Sequence, residues 1–159
     1  NDVSVSLSEL ERSPELFSGI YNNARIASID IQHILYDAQD LKRLLKYYDA
    51  GIIPEETRRA IFVLGKYKKN QISSPKDISP FLEMLGNQKL QWSVCAFGLN
   101  EHQCLLETLN LGGDVRIGFE NNTKSNDGTV FENNESSVET FELPFSVVPS
   151  FAVDLADIN

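Results

Sequence analysis

Short segments in which apolar residues either alternate with polar ones or run together predict the strands of this chain. Val3–Leu7 alternates with a period of two, which is typical of a half-buried strand. Ile26–Leu35 is apolar and rich in β-branched residues. Ala60–Gly65 and Trp92–Gly98 are continuous apolar runs that end in glycine, as expected of strands buried on both faces. With Val115–Phe119 as the last segment, the pattern predicts five strands.

Helical spacing of apolar residues predicts a helix in each interval between these strands. Ser13–Glu15 offers an N-cap residue, a proline for the first helical position and an acid, and predicts a short helix. Asp37 opens the second helix and Ser74–Asp77 caps the third, while Asn100 or Glu101 begins the fourth. The inward faces of the last three helices are predicted to contain Leu41, Leu44, Leu45 and Tyr48; Ile78, Phe81, Leu82 and Leu85; and Leu105, Leu106 and Leu109.

The alternation of strands and helices predicts an α/β fold with right-handed crossovers and a parallel sheet. Five such strands fit a doubly wound sheet or part of a (β/α)8 barrel of the TIM type, and the pattern leaves both open. The segment 121–134 is rich in Asn, Ser, Thr and Gly and is predicted to be a surface loop. The domain prediction is a partial barrel over residues 1–143 followed by a C-terminal tail, 144–159, to which no element is assigned.

Composition narrows the classes of function. The chain has 159 residues, 42% of them hydrophobic, which is sufficient for one globular domain with a core. Its net charge of −9 argues against nucleic acid as a partner. Cys95 and Cys104 form no CxxC motif and are expected to be free thiols in the cytoplasm. The sequence shows neither a membrane-spanning apolar run nor a signal peptide. Basic residues concentrate in the segment 41–69, which is interpreted either as a solvated helix face or as a docking surface for an anionic cofactor.

Candidate chemistry lies where the predicted strands end, because parallel α/β folds place their sites at the carboxyl ends of strands. Arg116 and Glu120 share one face of the last predicted strand, as either a structural ion pair or part of a site. His33 is expected to be buried and hydrogen-bonded, the alternative being a metal ligand together with Glu120. His102 is expected to be exposed and without a role. The usual nucleotide, zinc-protease and hydrolase motifs are absent from the sequence.

Six segments, in this order, resemble the beta-keto acid cleavage enzymes, the family of 3-keto-5-aminohexanoate cleavage enzyme. They are similar to the fourth strand of that family's barrel, its fifth strand with the following helix, its sixth, seventh and eighth strands, and a closing segment in which a loop leads into a final helix. The segments are VSVSLSE, IDIQHILYDAQDLKRLLKYYDAGII, AIFVLG, WSVCAFG, GGDVRIGFENN and DGTVFENNESSV. Together they cover about residues 3–140.

This resemblance implies a zinc-dependent (β/α)8 barrel enzyme that condenses a beta-keto acid with acetyl-CoA and releases acetoacetate and a new CoA thioester. It implies that Glu120 is the carboxylate ligand of zinc and that Arg116 is the catalytic residue beside the substrate, either as part of the proton-abstracting pair or as a clamp for the substrate carboxylate. Ser8 and Asn121, at the ends of their strands, are the expected substrate-binding residues. The expected partners are the small keto acid and acetyl-CoA, without nucleic acid or membrane.

The sequence also departs from the pattern of this family. Asn121 replaces the acid that follows the family's glutamate, Asp114 replaces a histidine, and the glutamate of the fifth strand is replaced around Gln32–Ile34. The HxH that supplies two zinc ligands in the family is not in this sequence. Three explanations follow: a carboxyl-terminal barrel segment, which the missing initiator Met favours; a short relative completed by another chain; or a degenerate homologue in which Arg116 and Glu120 form a structural pair. The expected assembly is a homo-oligomer or a barrel completed by N-terminal strands that this sequence lacks.

Overall fold

The structure, a computed structural model, describes residues 2–12, 14–66, 70, 72–125 and 127–141. Its strands are β1 Asp2–Ser6, β2 Asp30–Leu35, β3 Arg59–Leu64, β4 Gln91–Ala96 and β5 Asp114–Val115. Its α-helices are α1 Leu7–Arg12, α2 Pro14–Ile26, α3 Ala38–Asp49, α4 Ser79–Leu85, α5 Glu101–Asn110 and α6 Asn134–Thr140. Short 3-10 helices span Glu55–Thr57 and Pro75–Ile78. None of these helices combines the length and the apolar character needed to cross a membrane.

The strands form one parallel sheet in the order β1-β2-β3-β4-β5, with helices between them. Two backbone hydrogen bonds join β3 to β4: the Gln91 N–H donates to the Arg58 carbonyl, and the Phe97 N–H donates to the Leu64 carbonyl. The α/β prediction is therefore confirmed. The strand order never reverses, whereas a doubly wound sheet changes direction at a switch point. Among the described strands, the order is that of consecutive barrel strands.

By its internal contacts the chain divides into two compact units. Among the described residues, the first unit is formed by those up to Phe62 together with Ser79–Trp92, and the second by those between Val63 and Ile78 together with those between Ser93 and Phe141.

The first unit packs α3 with its predicted apolar face inward. Asp37 caps the helix, because its carboxylate accepts from the N–H groups of Gln39 and Asp40. The positive φ of Gly51 follows the helix end. Phe62 of β3 is completely buried and stacks on Phe81 of α4. The buried residues of α3 are Leu41, Leu44, Leu45 and Tyr48.

The second unit contains the ends of β3 and β4, with β5, α5 and α6. Ser73 organises the passage from β3 to the following 3-10 helix, because its hydroxyl donates to the Phe97 carbonyl at 2.9 Å while its own carbonyl accepts from the Asn100 amide. Cys104 and Leu105 of α5 are completely buried. The predicted loop between Lys66 and Ser74 is described only in part, and residues 67–69 and 71 lie outside the described residues, as does the tail at 144–159.

Three predicted boundaries are wrong. The residues around Ile26 are helical, because α2 continues to Ile26 and the positive φ of Ser28 separates it from β2. Residues 7–12 form α1, a helix that the alternation in Val3–Leu7 did not indicate. The last strand covers only Asp114–Val115, because the chain leaves the ladder after Arg116 and turns at residues 118–122.

Candidate functional site

The candidate site lies in the second unit, beyond the carboxyl ends of β4 and β5. The chain leaves β5 at Val115, and the Arg116 N–H still donates to the Val94 carbonyl of β4 at 2.9 Å. A tight turn follows, in which the N–H groups of Asn121 and Asn122 both donate to the Gly118 carbonyl. We call residues 118–122 the rim turn. It carries Glu120 at the edge of the parallel sheet where α/β proteins place their chemistry.

Arg116 and Glu120 form an ion pair across this turn. The turn, and not strand alternation, brings them together, because Glu120 lies five residues beyond Val115, the last described ladder position. The Arg116 side chain is 36% exposed and that of Glu120 is 55% exposed. The pair is therefore open to solvent and to small ligands.

The backbone of the rim turn forms hydrogen bonds with two neighbouring segments, one through the backbone of Gly98 and one through the side chain of Asn134. The Gly98 N–H, just after β4, donates to the Asn121 carbonyl at 3.2 Å. The Phe119 N–H donates to the Asn134 amide oxygen, at the beginning of α6, at 2.9 Å. These bonds fix the position from which Glu120 reaches the rim.

Glu101, the first residue of α5, brings a second carboxyl to the rim turn. Its side chain is completely buried, and neither carboxyl oxygen has a hydrogen-bond partner of normal geometry among the described residues. Burial raises the pKa of this carboxyl to about 8, although the side chains of Asn122 and Asn121 and the Gly118 backbone lie near enough to lower it. A carboxyl that titrates near neutral pH is uncommon and is characteristic of functional sites.

Cys95 of β4 lies between the charged groups of the site. Burial raises the pKa of its thiol to about 12, with smaller opposing contributions from Arg116 and Glu120. Lys66, which follows β3, also lowers the pKa of this thiol, and its ammonium lies over the ring of Phe97. Cys95 is thus an inert core thiol, and cations from two strand ends border it.

The other two predicted site residues have different surroundings. Asn121 is only 5% exposed, and its side-chain amide makes no hydrogen bond of normal geometry among the described residues, although it lies near enough to the Glu101 carboxyl to favour its charged form. Ser8 belongs to the first unit, where it lies in α1 and its exposed hydroxyl is 2.8 Å from that of Ser6. Substrate binding by either residue stays a prediction.

The two histidines differ from each other in their surroundings. His33 is buried as predicted, and because the Arg59 carbonyl can only accept, His33 Nδ1 donates to it while Nε2 accepts from the Tyr21 hydroxyl. The predicted exposure of His102 is wrong. It is 92% buried, since only 8% of its surface is exposed, and it packs against Phe131 and Phe141.

The donor groups among the described residues can be compared with the ligands that a zinc site requires. A catalytic zinc site uses three protein ligands and one open position. Within the described ranges, no three His, Cys, Asp or Glu side chains are grouped to hold a metal ion. Glu120 offers one exposed carboxylate at the rim, and this donor set fits one ligand of a zinc site and not a complete site.

Glu101 is the residue of the site that sequence analysis missed. Its position was noted only as a helix start, because the first turn of a helix commonly contains an acid that interacts with the helix dipole. The sequence signal that could have indicated a role for Glu101 is its position three residues after Gly98, in the loop that follows a buried strand. Only the structure shows that the carboxyl points into the protein.

Two comparisons with known proteins bear on this site. The model of the beta-keto acid cleavage enzyme family matches residues 5–143 and therefore includes every element from β2 to α6. The resemblance predicted from the six sequence segments is thereby confirmed. A sequence search of curated proteins gives no match.

Proposed function

The chain belongs to the beta-keto acid cleavage enzyme family, and from this membership we propose that it takes part in the cleavage of a beta-keto acid with acetyl-CoA, giving acetoacetate and a CoA thioester. The observation that carries the proposal is the exposed Arg116–Glu120 pair on the rim turn, within the matched residues. The five strands would be consecutive strands of a (β/α)8 barrel, since their order does not reverse. The cytoplasmic location predicted from the free thiols forms part of this proposal.

Arg116 is the proposed substrate-binding and catalytic group. Its guanidinium is a fixed positive charge with several parallel N–H donors, which suits the carboxylate of a keto acid. Because the side chain is partly exposed and already faces a carboxylate, an incoming carboxylate can share or replace the contact with Glu120. Lys66 adds positive charge near the same strand ends and favours an anionic substrate.

Glu120 is the proposed carboxylate ligand of zinc. When bound, zinc would polarise the keto carbonyl as a Lewis acid. The remaining ligands would come from groups outside the described residues, on another part of the polypeptide or on a partner chain. The role of this chain would be to hold Glu120 at the rim, through the backbone bonds of Phe119 and Asn121, and to keep Arg116 beside it.

A second candidate function is that of a non-catalytic subunit in which Arg116 and Glu120 are a structural pair. Asn121 favours this candidate, because a carboxamide cannot act as a general base and because its side chain is buried. The exposure of the pair argues against it. An ion pair that is about half exposed contributes roughly 0–1 kcal/mol to stability, which is little for a purely structural role.

The substitution Glu120→Gln distinguishes the two candidate functions when it is made in the protein as its natural host expresses it. Glu132→Gln is the control for loss of an exposed acid. Acetoacetate release is followed with acetyl-CoA and a series of beta-keto acids, and zinc is measured by metal analysis. We expect Glu120→Gln to lower kcat/KM by roughly 100-fold or more, equivalent to about 2.7 kcal/mol. We expect a loss of unfolding free energy below about 1 kcal/mol.

Glu132→Gln should leave both quantities unchanged. Unaltered kcat/KM in Glu120→Gln, or a natively expressed protein without zinc and without acetoacetate release, would overturn the proposed function. Destabilisation by Glu120→Gln without any change in activity would support the structural pair instead.

A further inference from the structure

The carboxyl of Glu101 lies beneath the rim turn without a partner that explains its burial. It is fully inaccessible, and both of its oxygens lack a normal hydrogen bond among the described residues. A buried carboxyl in this state costs free energy. Natural proteins keep few such groups, and those that they keep tend to serve a site.

The surroundings of Glu101 tie it to one feature. The groups that favour its charged form all belong to the rim turn, namely the side chains of Asn122 and Asn121 and the Gly118 backbone. The Glu101 N–H donates to the Gly98 carbonyl at 3.0 Å, and the Gly98 N–H donates to Asn121 at 3.2 Å. The beginning of α5 is therefore linked to the rim turn in two ways, by backbone hydrogen bonds through Gly98 and by the Glu101 carboxyl.

The charged and titratable groups near this contact are few. Cys95 lies close enough for Glu101 to raise the pKa of its thiol, and Arg116, Glu120 and Lys66 act on the same thiol. His102, the next residue of α5, is itself largely buried. The amides of the rim turn are the groups that respond directly to the charge of Glu101.

We propose that Glu101 is a positioning residue of the site: its carboxyl holds the rim turn and thereby sets where Glu120 stands opposite Arg116. It acts through Asn121, Asn122 and Gly118 and does not touch the substrate, because it is completely buried. This inference rests on the proposed function for the purpose of the turn, but the contact itself can be tested without turnover.

The test compares the full chain with Glu101→Gln, Glu101→Ala and Glu107→Gln, the last being a control on the same helix. Amide resonances of Gly118, Asn121 and Asn122 are recorded by 1H–15N NMR across neutral and alkaline pH, together with their hydrogen-exchange rates. We expect these resonances to shift with a midpoint near pH 8 in the parent chain and in Glu107→Gln, and to lose that transition in Glu101→Gln.

Hydrogen exchange tests the mechanical part of the inference. Glu101→Gln keeps the shape and hydrogen-bonding capacity of the side chain, so protection of the three amides should stay within about 2-fold of the parent. Glu101→Ala removes the contact, and protection should fall by roughly 10-fold or more. If Glu101→Ala does not fold, the titration of Glu101→Gln alone decides the question.

A pH transition that persists in Glu101→Gln, or unchanged protection in a folded Glu101→Ala, would overturn the inference. Neither result depends on activity. If the chain shows the expected titration but releases no acetoacetate, the positioning role stands and only the proposed function is refuted. If the enzyme is active but the amides of the rim turn do not respond to substitution of Glu101, the proposed function stands and the positioning role is refuted.

Discussion

Individual side chains in this molecule are charged or neutral according to how much solvent reaches them. Arg116 and Glu120 remain partly exposed and form an ion pair, whereas Glu101 is fully buried and burial raises its pKa to about 8. The two carboxylic acids therefore have different chemistry at neutral pH. Glu120 offers a solvent-accessible carboxylate, and Glu101 offers a buried carboxyl that is mostly protonated.

The cysteines provide a residue-level prediction about reactivity. Cys95 and Cys104 are both buried free thiols, and burial raises the pKa of Cys95 to about 12. Because only the exposed thiolate reacts readily, we expect a thiol reagent such as iodoacetamide to modify neither residue in the folded chain. Both should react after denaturation. Mass spectrometry of the labelled protein measures this, and rapid modification of Cys95 under native conditions would contradict its assignment as an inert core residue.

At the scale of elements, the apolar pattern predicted some segments well and others badly. The run Ala60–Gly65 could be assigned from sequence, because a strand buried on both faces leaves a continuous apolar signature. Helix α3 could be predicted equally well, because a capping aspartate and an apolar face on one side both indicate a helix at the same position. The extent of α2 could not be predicted, because its inner face depends on Phe17 and Tyr21 packing against partners distant in sequence.

At the candidate site, sequence patterns likewise fail to predict contacts between residues that are distant in the chain. Sequence likeness predicted roles for Arg116 and Glu120, and the structure pairs them through a turn and not through the predicted strand alternation. The turn depends on Gly98 and Asn134, which lie far from it in sequence and leave no periodic signal. Glu101 was missed for a related reason: the direction of its side chain follows from packing, which neither spacing nor propensity encodes.

The turn after β3 gives an element-level prediction. Gly65 has a φ of +83°, and a Cβ there would lie 2.8 Å from the backbone nitrogen of Ser73. We expect Gly65→Ala to lower the free energy of unfolding by about 2–4 kcal/mol, because left-handed strain of about 1–2 kcal/mol adds to a backbone clash. The measurement is urea unfolding followed by circular dichroism.

Gly112→Ala is the matched control, because Gly112 has a φ of +85° but no atom within 4 Å of the added Cβ. It should show the strain alone, about 1–2 kcal/mol. Equal destabilisation by both substitutions would show that the approach of Ser73 to the β3 end contributes nothing, and that this segment rearranges at little cost.

For the whole molecule, His33 and Glu101 make the stability depend on pH in opposite directions. Burial lowers the pKa of His33 from 6.5 to about 4, so its neutral form favours the folded state, and this contribution is lost as the pH falls from 6.5 to 4. The pKa of Glu101 rises from 4.5 to about 8 on folding. Its contribution is complete below pH 4.5 and is lost as the pH rises to 8.

The sum of these two contributions predicts a characteristic profile. Between about pH 4.5 and 6.5 the unfolded chain gains one proton at His33 and loses one at Glu101 relative to the folded chain, so the two slopes of about 1.4 kcal/mol per pH unit cancel. Between pH 6.5 and 8 only the Glu101 slope remains, and stability falls by about 2 kcal/mol.

Variants isolate each contribution when their profiles are compared with that of the parent, because the other titrating groups are common to both proteins. Glu101→Gln should remove the decline above pH 6.5 and reveal a rise from pH 4 to 6.5, owing to His33. His33→Gln should instead decline throughout from pH 4.5 to 8. Urea unfolding at closely spaced pH values measures these differences. If Glu101→Gln declined above pH 6.5 as steeply as the parent, Glu101 would be charged in the folded chain, and the buried neutral carboxyl beneath the rim turn would have to be abandoned.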